Sequence, residues 1–362
     1  MTLHQLLPAF IPGDAIGNQA WALRQILRSL GFASSQVYAL HRDRRWEDPG
    51  EDYRRLRLRS SDWLIYHHSI GSPVVEVALE HLPRLIFYYH NITPAHFVRP
   101  YDLRLARALD AGRQALSKFK SAPHVWAHSA YNLLELDQLG FRKGFIVPLF
   151  VDAPRLLASA RSEAGQNIQA KLKARQNGTL WLFVGRIVPN KRQDLLIKAL
   201  AYWQRVMGCR GSLLLVGSSV NAEGFRVELG SLAVALGVAD SVHLVGACLP
   251  EEGLGGYYAC ADVFVCASEH EGFGVPLVEA MAFGKPIVAY AATGVLDAVG
   301  AGGLLVDEAT PAALAEGVAL LLNDSALREQ YARHQRARVQ AHEFAAVAQS
   351  VQNALGQAGI LA

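Results

Sequence analysis

Apolar residues along this chain follow two alternating rhythms. Short continuous apolar runs are separated by longer segments in which apolar positions recur every three or four residues. The first pattern, bounded by turn residues, marks a buried strand, and the second marks an amphipathic helix. In the first half the strand candidates are 37–40, 63–68, 85–90, 125–128 and 144–149, with a weak one at 6–11 interrupted by Pro8. Helical spacing covers 19–30, 102–119 and 130–139. Trp21, Leu23, Ile26, Leu27 and Leu30 form one face of the first of these, which Gly31 stops. Ser129 is placed to cap the third. Residues 151–178 are small and polar, from Asp152-Ala-Pro to Gln176-Asn-Gly178, and read as a linker. The alternation then resumes, with strands at 179–184, 212–216, 242–245, 263–267 and 286–289. Helices at 193–207, 224–236, 251–260, 276–284, 311–322 and 325–341 lie between and after them, and an amphipathic segment, 344–355, comes last.

Strand–helix alternation of this kind predicts parallel sheets covered on both faces. At 362 residues the chain is long for a single core, and no short repeat is evident. The expected fold class is therefore α/β, two doubly wound Rossmann-like domains facing each other across a cleft. Ligands of such sheets bind outside the carboxyl ends of the strands.

Composition narrows the function. Half the residues are apolar, as in an ordinary globular protein. A net charge of +3 does not suit a nucleic-acid binder. Residues 1–165 hold 20 Lys/Arg against 15 Asp/Glu, and the remainder 15 against 17. That basic first half fits an acidic or phosphate-bearing partner or peripheral contact with a membrane surface. The patches His41-Arg-Asp-Arg-Arg45 and Arg54-Arg-Leu-Arg-Leu-Arg59 would meet an anionic lipid headgroup, or form a solvated face. Cys209, Cys248, Cys260 and Cys266 lack metal-ligand spacing and read as thiols in a reducing cytosol. No apolar run is long enough to span a membrane, and residues 1–8 lack the features of a signal peptide. A cytoplasmic protein, soluble or peripheral at the inner face of the membrane, is expected.

The stretch Glu271-Gly-Phe-Gly-Val-Pro-Leu-Val-Glu279 carries the most chemistry. It leaves a short buried strand and enters a helix that Pro276 opens. Gly272 and Gly274 leave backbone N–H groups unshielded at a helix N-terminus, where phosphate or sugar oxygens bind. Two carboxylates bracketing such a loop suit a ligand with both hydroxyls and phosphate. Earlier, Val184-Gly185-Arg186-x4-Lys191 also leaves a strand for a helix. Arg186 offers a planar fork and Lys191 a compact charge to phosphate oxygens. No Asp-x-Asp is present, so nothing in the sequence calls for a metal or another cofactor. In the first half, His67, His68 and His90 end two strands and are expected to face the cleft, and Gly17 would let backbone approach a diphosphate.

Taken together, Gly185-Arg186-x4-Lys191, Glu271-Gly-Phe-Gly-x-Pro-x-x-Glu279-Ala-Met-Ala and Gly284-x-Pro286-Ile-Val resemble the signature of retaining glycosyltransferases of family 4 (group 1). His90-Asn91, Ala127-His-Ser129 and Gly303-Leu-Leu-Val-Asp307 match as well. The resemblance implies the GT-B fold: an acceptor-binding domain over 1–165, a nucleotide-sugar domain over 166–343, and a terminal helix in 344–362 crossing back to the first domain. It also implies roles. Arg186 and Lys191 would bind the donor diphosphate and Glu279 the ribose. Glu271 would contact the donor sugar, with the amides of Gly272, Phe273 and Gly274 nearby. His90 would sit over the reacting sugar and Gly17 near the phosphates, though Gly17 lacks the glycine that many members carry before it.

The expected function is a retaining hexosyltransferase that moves a mannose-like or glucose-like sugar from a nucleotide-diphosphate donor to a saccharide or lipid-linked acceptor. Surface polysaccharide or glycolipid assembly is the expected setting. A retaining hydrolase would need an acid and a nucleophile, and no convincing nucleophile lies near the donor motif. A dinucleotide oxidoreductase would need Gly-x-Gly-x-x-Gly, which Gly13-Asp-Ala-Ile-Gly17 does not supply. The alternative is a non-catalytic nucleotide-sugar-binding or scaffold protein, which would bind donor and release no nucleotide.

Overall fold

The computed structural model describes residues 1–361. The chain divides into two compact units, one holding residues 1–95, 104–150 and 341 onward, the other 96–103 and 151–340.

The first unit begins β1 (Leu3–Phe10), α1 (Ala15–Ser29), β2 (Val37–Arg42), β3 (Glu51–Asp52) and β4 (Trp63–His68). It continues with α2 (Val74–Glu80), β5 (Leu85–Tyr89), α3 (Leu103–Ala115), β6 (His124–Ala127), α4 (Ala130–Gln138) and β7 (Phe145–Ile146). Its strands run in the order β3-β2-β1-β4-β5-β6-β7, every pair parallel. The order reverses between β1 and β4, which makes that edge the topological switch point. β1 is not the weak strand its Pro8 suggests: Leu3, Leu6, Leu7 and Phe10 are fully buried. Pairing of β1 with β4 ends at Leu6↔Tyr66, so Pro8 lies beyond it, where no N–H is needed on that side.

The second unit holds α5 (Ala153–Arg161), α6 (Glu163–Arg175), β8 (Thr179–Val184), α7 (Gln193–Arg205), β9 (Gly211–Val216), α8 (Glu223–Ala235) and β10 (Val242–Gly246). There follow α9 (Leu254–Cys260), β11 (Val263–Cys266), α10 (Val275–Ala282), β12 (Ile287–Tyr290), α11 (Gly294–Val299), β13 (Leu304–Val306), α12 (Pro311–Asn323) and α13 (Ser325–Gln340). The sheet order is β10-β9-β8-β11-β12-β13, again wholly parallel, with its switch point between β8 and β11. Trp181, Phe183, Leu213, Leu215, Val263 and Val265 pack with Leu196, Ile197 and Leu200 of α7 and Leu314, Val318 and Leu321 of α12. Each large side chain so buried contributes about 1.5–3 kcal/mol.

The linker expected over 151–178 is instead the helix pair α5–α6. Its closest approaches to α9 are made by glycines. A Cβ on Gly255 would lie 2.3 Å from the Leu156 carbonyl oxygen, and one on Gly256 2.6 Å from that of Gly165. This brings α9 onto α5 and α6 at backbone distance and moves the boundary expected at 165 back to Phe150. Residues 96–103 also group with the second unit: Tyr101 donates to Glu228 Oε2 at 2.6 Å and sets its ring edge-on to Phe225. The last helix, α14 (Phe344–Gln357), belongs to the first unit, where Val347, Val351 and Leu355 join Leu23, Ile26 and Leu27 of α1.

Candidate active site

Two loops leave the switch point of the second sheet. After β8, Gly185 takes φ +149°, and a Cβ on its neighbour Gly217 would stand 1.8 Å from the Gly185 carbonyl oxygen. That close approach restricts position 217 to glycine. Arg186 follows and donates from Nη2 to Val220 O at 3.2 Å, while its own carbonyl accepts from Gln193 Nε2. The chain then makes a 3₁₀ turn, Pro189–Lys191, and enters α7 through Arg192 in the left-handed region.

The second loop, between β11 and α10, is tied to the first. The buried Asn190 donates from Nδ2 to His270 O at 2.9 Å, and its carbonyl accepts from Glu269 N at 2.9 Å. Arg192 bonds both Glu269 and Asp194. Lys191 Nζ lies 2.5 Å from Glu271 Oε2, with side-chain exposures of 16% and 15%. Ser268 Oγ donates to the other carboxylate oxygen of Glu271 at 3.0 Å, and Glu271 N donates to Thr293 Oγ1 at 2.9 Å. Glu271 is therefore held through its side chain and its backbone. Thr293 sits at φ 48°, ψ −133°, a costly conformation for a β-branched residue and one typical of functional sites. Beside it, a Cβ on Gly294 would come 2.3 Å from Gly272 O.

Gly274, at φ +107°, precedes α10, whose first turn holds Pro276 and no acidic side chain. Phe273 is buried, with the Arg338 guanidinium 5.9 Å from its ring centre. One turn into α10, Glu279 accepts from the hydroxyl of fully buried Tyr258 at 2.6 Å. Desolvation raises the Glu279 carboxyl above the ordinary range, and the Tyr258 hydrogen bond opposes that rise.

In the first unit the expected histidine site takes a different form. His67 and His68 end β4, whose neighbours β1 and β5 are themselves inside the sheet, and both rings are fully buried. Successive strand residues point to opposite faces, and helices cover each. His68 bonds Tyr66 Oη at 2.9 Å and Gly112 O at 2.9 Å, a packing role and not the exposed one anticipated. His67 Nδ1 lies 2.8 Å from His90 Nε2, and the two ring planes are 16° apart, consistent with an in-plane N–H···N bond. His90 follows β5 and is 6% exposed, with the His128 ring tilted 45° to it at 5.3 Å. Gly17 does not precede α1: it lies in the first turn, where its N–H donates to the Asp14 carboxylate at 3.0 Å. A Cβ there would stand 2.2 Å from Ile11 O, so close backbone packing accounts for this glycine.

The basic patches are largely neutralised locally. Arg45 pairs with Asp43, Arg54 with Asp52 and Arg55 with Glu51, and Arg57 donates to the carbonyls of Arg54 and Leu56. No helix among the described residues is long and apolar enough to cross a membrane. No group of three or more His, Cys, Asp or Glu among them is placed to hold a metal ion.

Sequence reasoning overlooked Asn190, Ser268, Thr293 and Tyr258. Asn190 lies inside the first motif and Ser268 just before the second, and a polar residue in or beside a motif loop was an available signal. Tyr258 had none, since its contact with Glu279 spans two elements.

Residues 165–338 match the family model for glycosyl transferases group 1. The second unit is a group 1 glycosyltransferase domain. Over 196 residues the chain is 36% identical to the D-inositol 3-phosphate glycosyltransferase of Salinispora arenicola, covering 51% of this chain and 43% of that protein. The chain spans about half the length of the curated relatives it matches. Among solved structures, the α,α-trehalose 6-phosphate synthase of Burkholderia multivorans superposes with a TM-score of 0.75 at 13% identity, over 99% of both chains. Anabaena HepE in complex with UDP and glucose does so with a TM-score of 0.68 at 21% identity, over 98% of this chain and 99% of that one. At these identities the likeness is one of fold. The glycosyltransferase domain and the first unit are the two Rossmann-like domains of the GT-B fold.

Proposed function

We propose that the chain is a retaining glycosyltransferase that moves a hexose from a nucleotide-diphosphate sugar to a hydroxyl acceptor. The observation that carries this reading is the pinning of Lys191 against Glu271 at the switch point of the group 1 domain, with Arg186 leaving the same strand. An ammonium has three donors. One serves Glu271, and the others are assigned to a phosphate oxygen of the donor. Arg186 shares that diphosphate. Each Glu271 oxygen keeps a second lone pair beyond its bond to Lys191 or Ser268, which suits hydroxyls of the transferred sugar beside the amides of Gly272, Phe273 and Gly274. Glu279, steadied by Tyr258, is assigned to the ribose diol, and His90 to the reacting sugar.

In the step itself the bond from the anomeric carbon to the phosphate oxygen breaks. The acceptor oxygen bonds that carbon on the same face. The leaving phosphate takes the acceptor's proton, and the negative charge growing on it is met by Arg186 and Lys191. The acceptor is assigned to surface polysaccharide or glycolipid assembly, and the basic balance of residues 1–165 supports a phosphate-bearing one. Peripheral contact with anionic lipid belongs to the same proposal, through Arg57 and Arg59, since Arg54 and Arg55 are already paired with Asp52 and Glu51.

A thermal-shift screen over UDP-, GDP- and ADP-sugars, followed by nucleotide release with lipid-linked glycans and inositol phosphate as acceptors, tests it. Retention follows from the anomeric configuration of the product. Binding of a sugar nucleotide with no release on any acceptor would replace the enzyme with a non-catalytic binder.

A further inference from the structure

Four residues of the first unit form a hydrogen-bonded row whose polarity is set at one end. Gln5 sits in β1 and donates from Nε2 to the carbonyl of Ala20 at 3.0 Å. A carbonyl only accepts, so the amide nitrogen must face Ala20 and the Oε1 must face His67. That oxygen lies 3.0 Å from His67 Nε2, which is thereby the protonated nitrogen. His67 Nδ1 is then the bare one, and at 2.8 Å it accepts from His90 Nε2. The last atom of the row, His90 Nδ1, carries a lone pair. It is buried on a residue 6% exposed and has no hydrogen-bond partner among the described residues. Burial also drives His67 down to about 3 and His90 well below 6.5, so neither ring takes a second proton at neutral pH.

We infer that Gln5 and His67 are positioning residues that hold His90 as its Nε2–H tautomer, so that His90 Nδ1 accepts a hydrogen bond from a hydroxyl of a bound saccharide. The row starts at β1 and β4, the strands of the switch point, and ends just past β5, so it delivers this acceptor to the carboxyl edge of the sheet. An acceptor with no proton favours a hydroxyl and disfavours a phosphate or carboxylate oxygen. The inference rests on the transferase reading only for whose hydroxyl is bound, that of the donor hexose or that of the acceptor.

Long-range proton–nitrogen correlation spectra of the full chain labelled with [15N]histidine, with His90 assigned through His90→Gln, read the tautomer directly. The native chain should show His90 protonated at Nε2 alone. Gln5→Glu keeps an oxygen facing His67 and should preserve that state, whereas Gln5→Met and His67→Phe should let His90 populate both tautomers. A native His90 protonated at Nδ1 overturns the inference without any variant being needed. So does a pure Nε2–H state in folded Gln5→Met and His67→Phe. In the native chain, glucose or mannose should move the Nδ1 resonance and inorganic phosphate should not; the reverse pattern overturns the hydroxyl assignment. Kinetics locate the hydroxyl: Gln5→Met should lower kcat/KM about tenfold, in donor hydrolysis and transfer alike if the donor supplies it, in transfer alone if the acceptor does. No change in either refutes the positioning role. Should the native chain turn over no sugar nucleotide, the transferase reading fails while the tautomer and sugar titrations still decide the inference.

Discussion

Mild acid should destabilise the first unit well before ordinary carboxylates titrate. His67, His68 and His128 are buried neutral, with burial pushing them down to about 3, 4 and 4 from 6.5. A group whose proton affinity falls on folding is protonated first in the unfolded chain. Below pH 6.5 the unfolded state therefore binds more protons, and stability falls as pH falls until the folded values are reached. At pH 5 the gap of one and a half units below 6.5 is worth ~2 kcal/mol per histidine. For the three that is roughly 6 kcal/mol, set against a total of about 5–15 kcal/mol for a typical domain. His90 adds in the same direction. Hydrogen exchange in graded urea at pH 7.5, 6.5 and 5.0, corrected for intrinsic rates, measures the effect on peptides covering Trp63–His68 and Leu85–Tyr89. Peptides covering Thr179–Val184 and Gly211–Val216, which contain no histidine, act as the reference. Equal stability of β4 at pH 7.5 and 5.0 would refute the reasoning, because these rings would then be hydrated or paired with anions.

Three further outcomes follow from the site. Lys191→Ala and Glu279→Ala should each lower turnover by about 10²–10³ with an unchanged melting profile, and full activity in both would remove the donor site from this loop pair. Tyr258→Phe removes the hydrogen bond that restrains Glu279, so the carboxyl should rise further; donor KM should increase about tenfold and binding should weaken at a higher pH than in the native chain. A calorimetric titration of nucleoside diphosphate across pH 5–8 reads this, and identical midpoints would exclude the Tyr258–Glu279 coupling. Gly17→Ala should cost about 1–3 kcal/mol in urea unfolding, because its Cβ meets Ile11 O, while leaving nucleotide affinity unchanged. A selective loss of nucleotide affinity would return Gly17 to the phosphates.

The loop from Glu271 to Glu279 was readable because its signals are local. The continuous apolar run into β11, Pro276 opening α10, and glycines on either side of Phe273 each state a backbone requirement within a few residues. The same holds for Arg186 and Lys191 leaving β8. The α5–α6 pair was unreadable for the opposite reason: it packs on α9 through Gly165, Gly255 and Gly256, which carry no hydropathy signal, and the small polar residues of 151–178 look like a linker. Histidines at strand ends gave the right edge and the wrong exposure for His67 and His68, since a strand end says nothing about the layer lying over it.

The one-dimensional pattern thus determined two alternating α/β series and the loops where cations and carboxylates leave the second sheet, because strand, helix and turn preferences act over neighbouring residues. Only the tertiary structure decided that Lys191 meets Glu271, that Tyr258 meets Glu279, and that Gln5 orients His90 through His67. Those contacts join residues separated by 80, 21 and up to 85 positions. They exist because parallel sheets bring distant strand ends to one edge, a condition set by strand order and absent from any single segment.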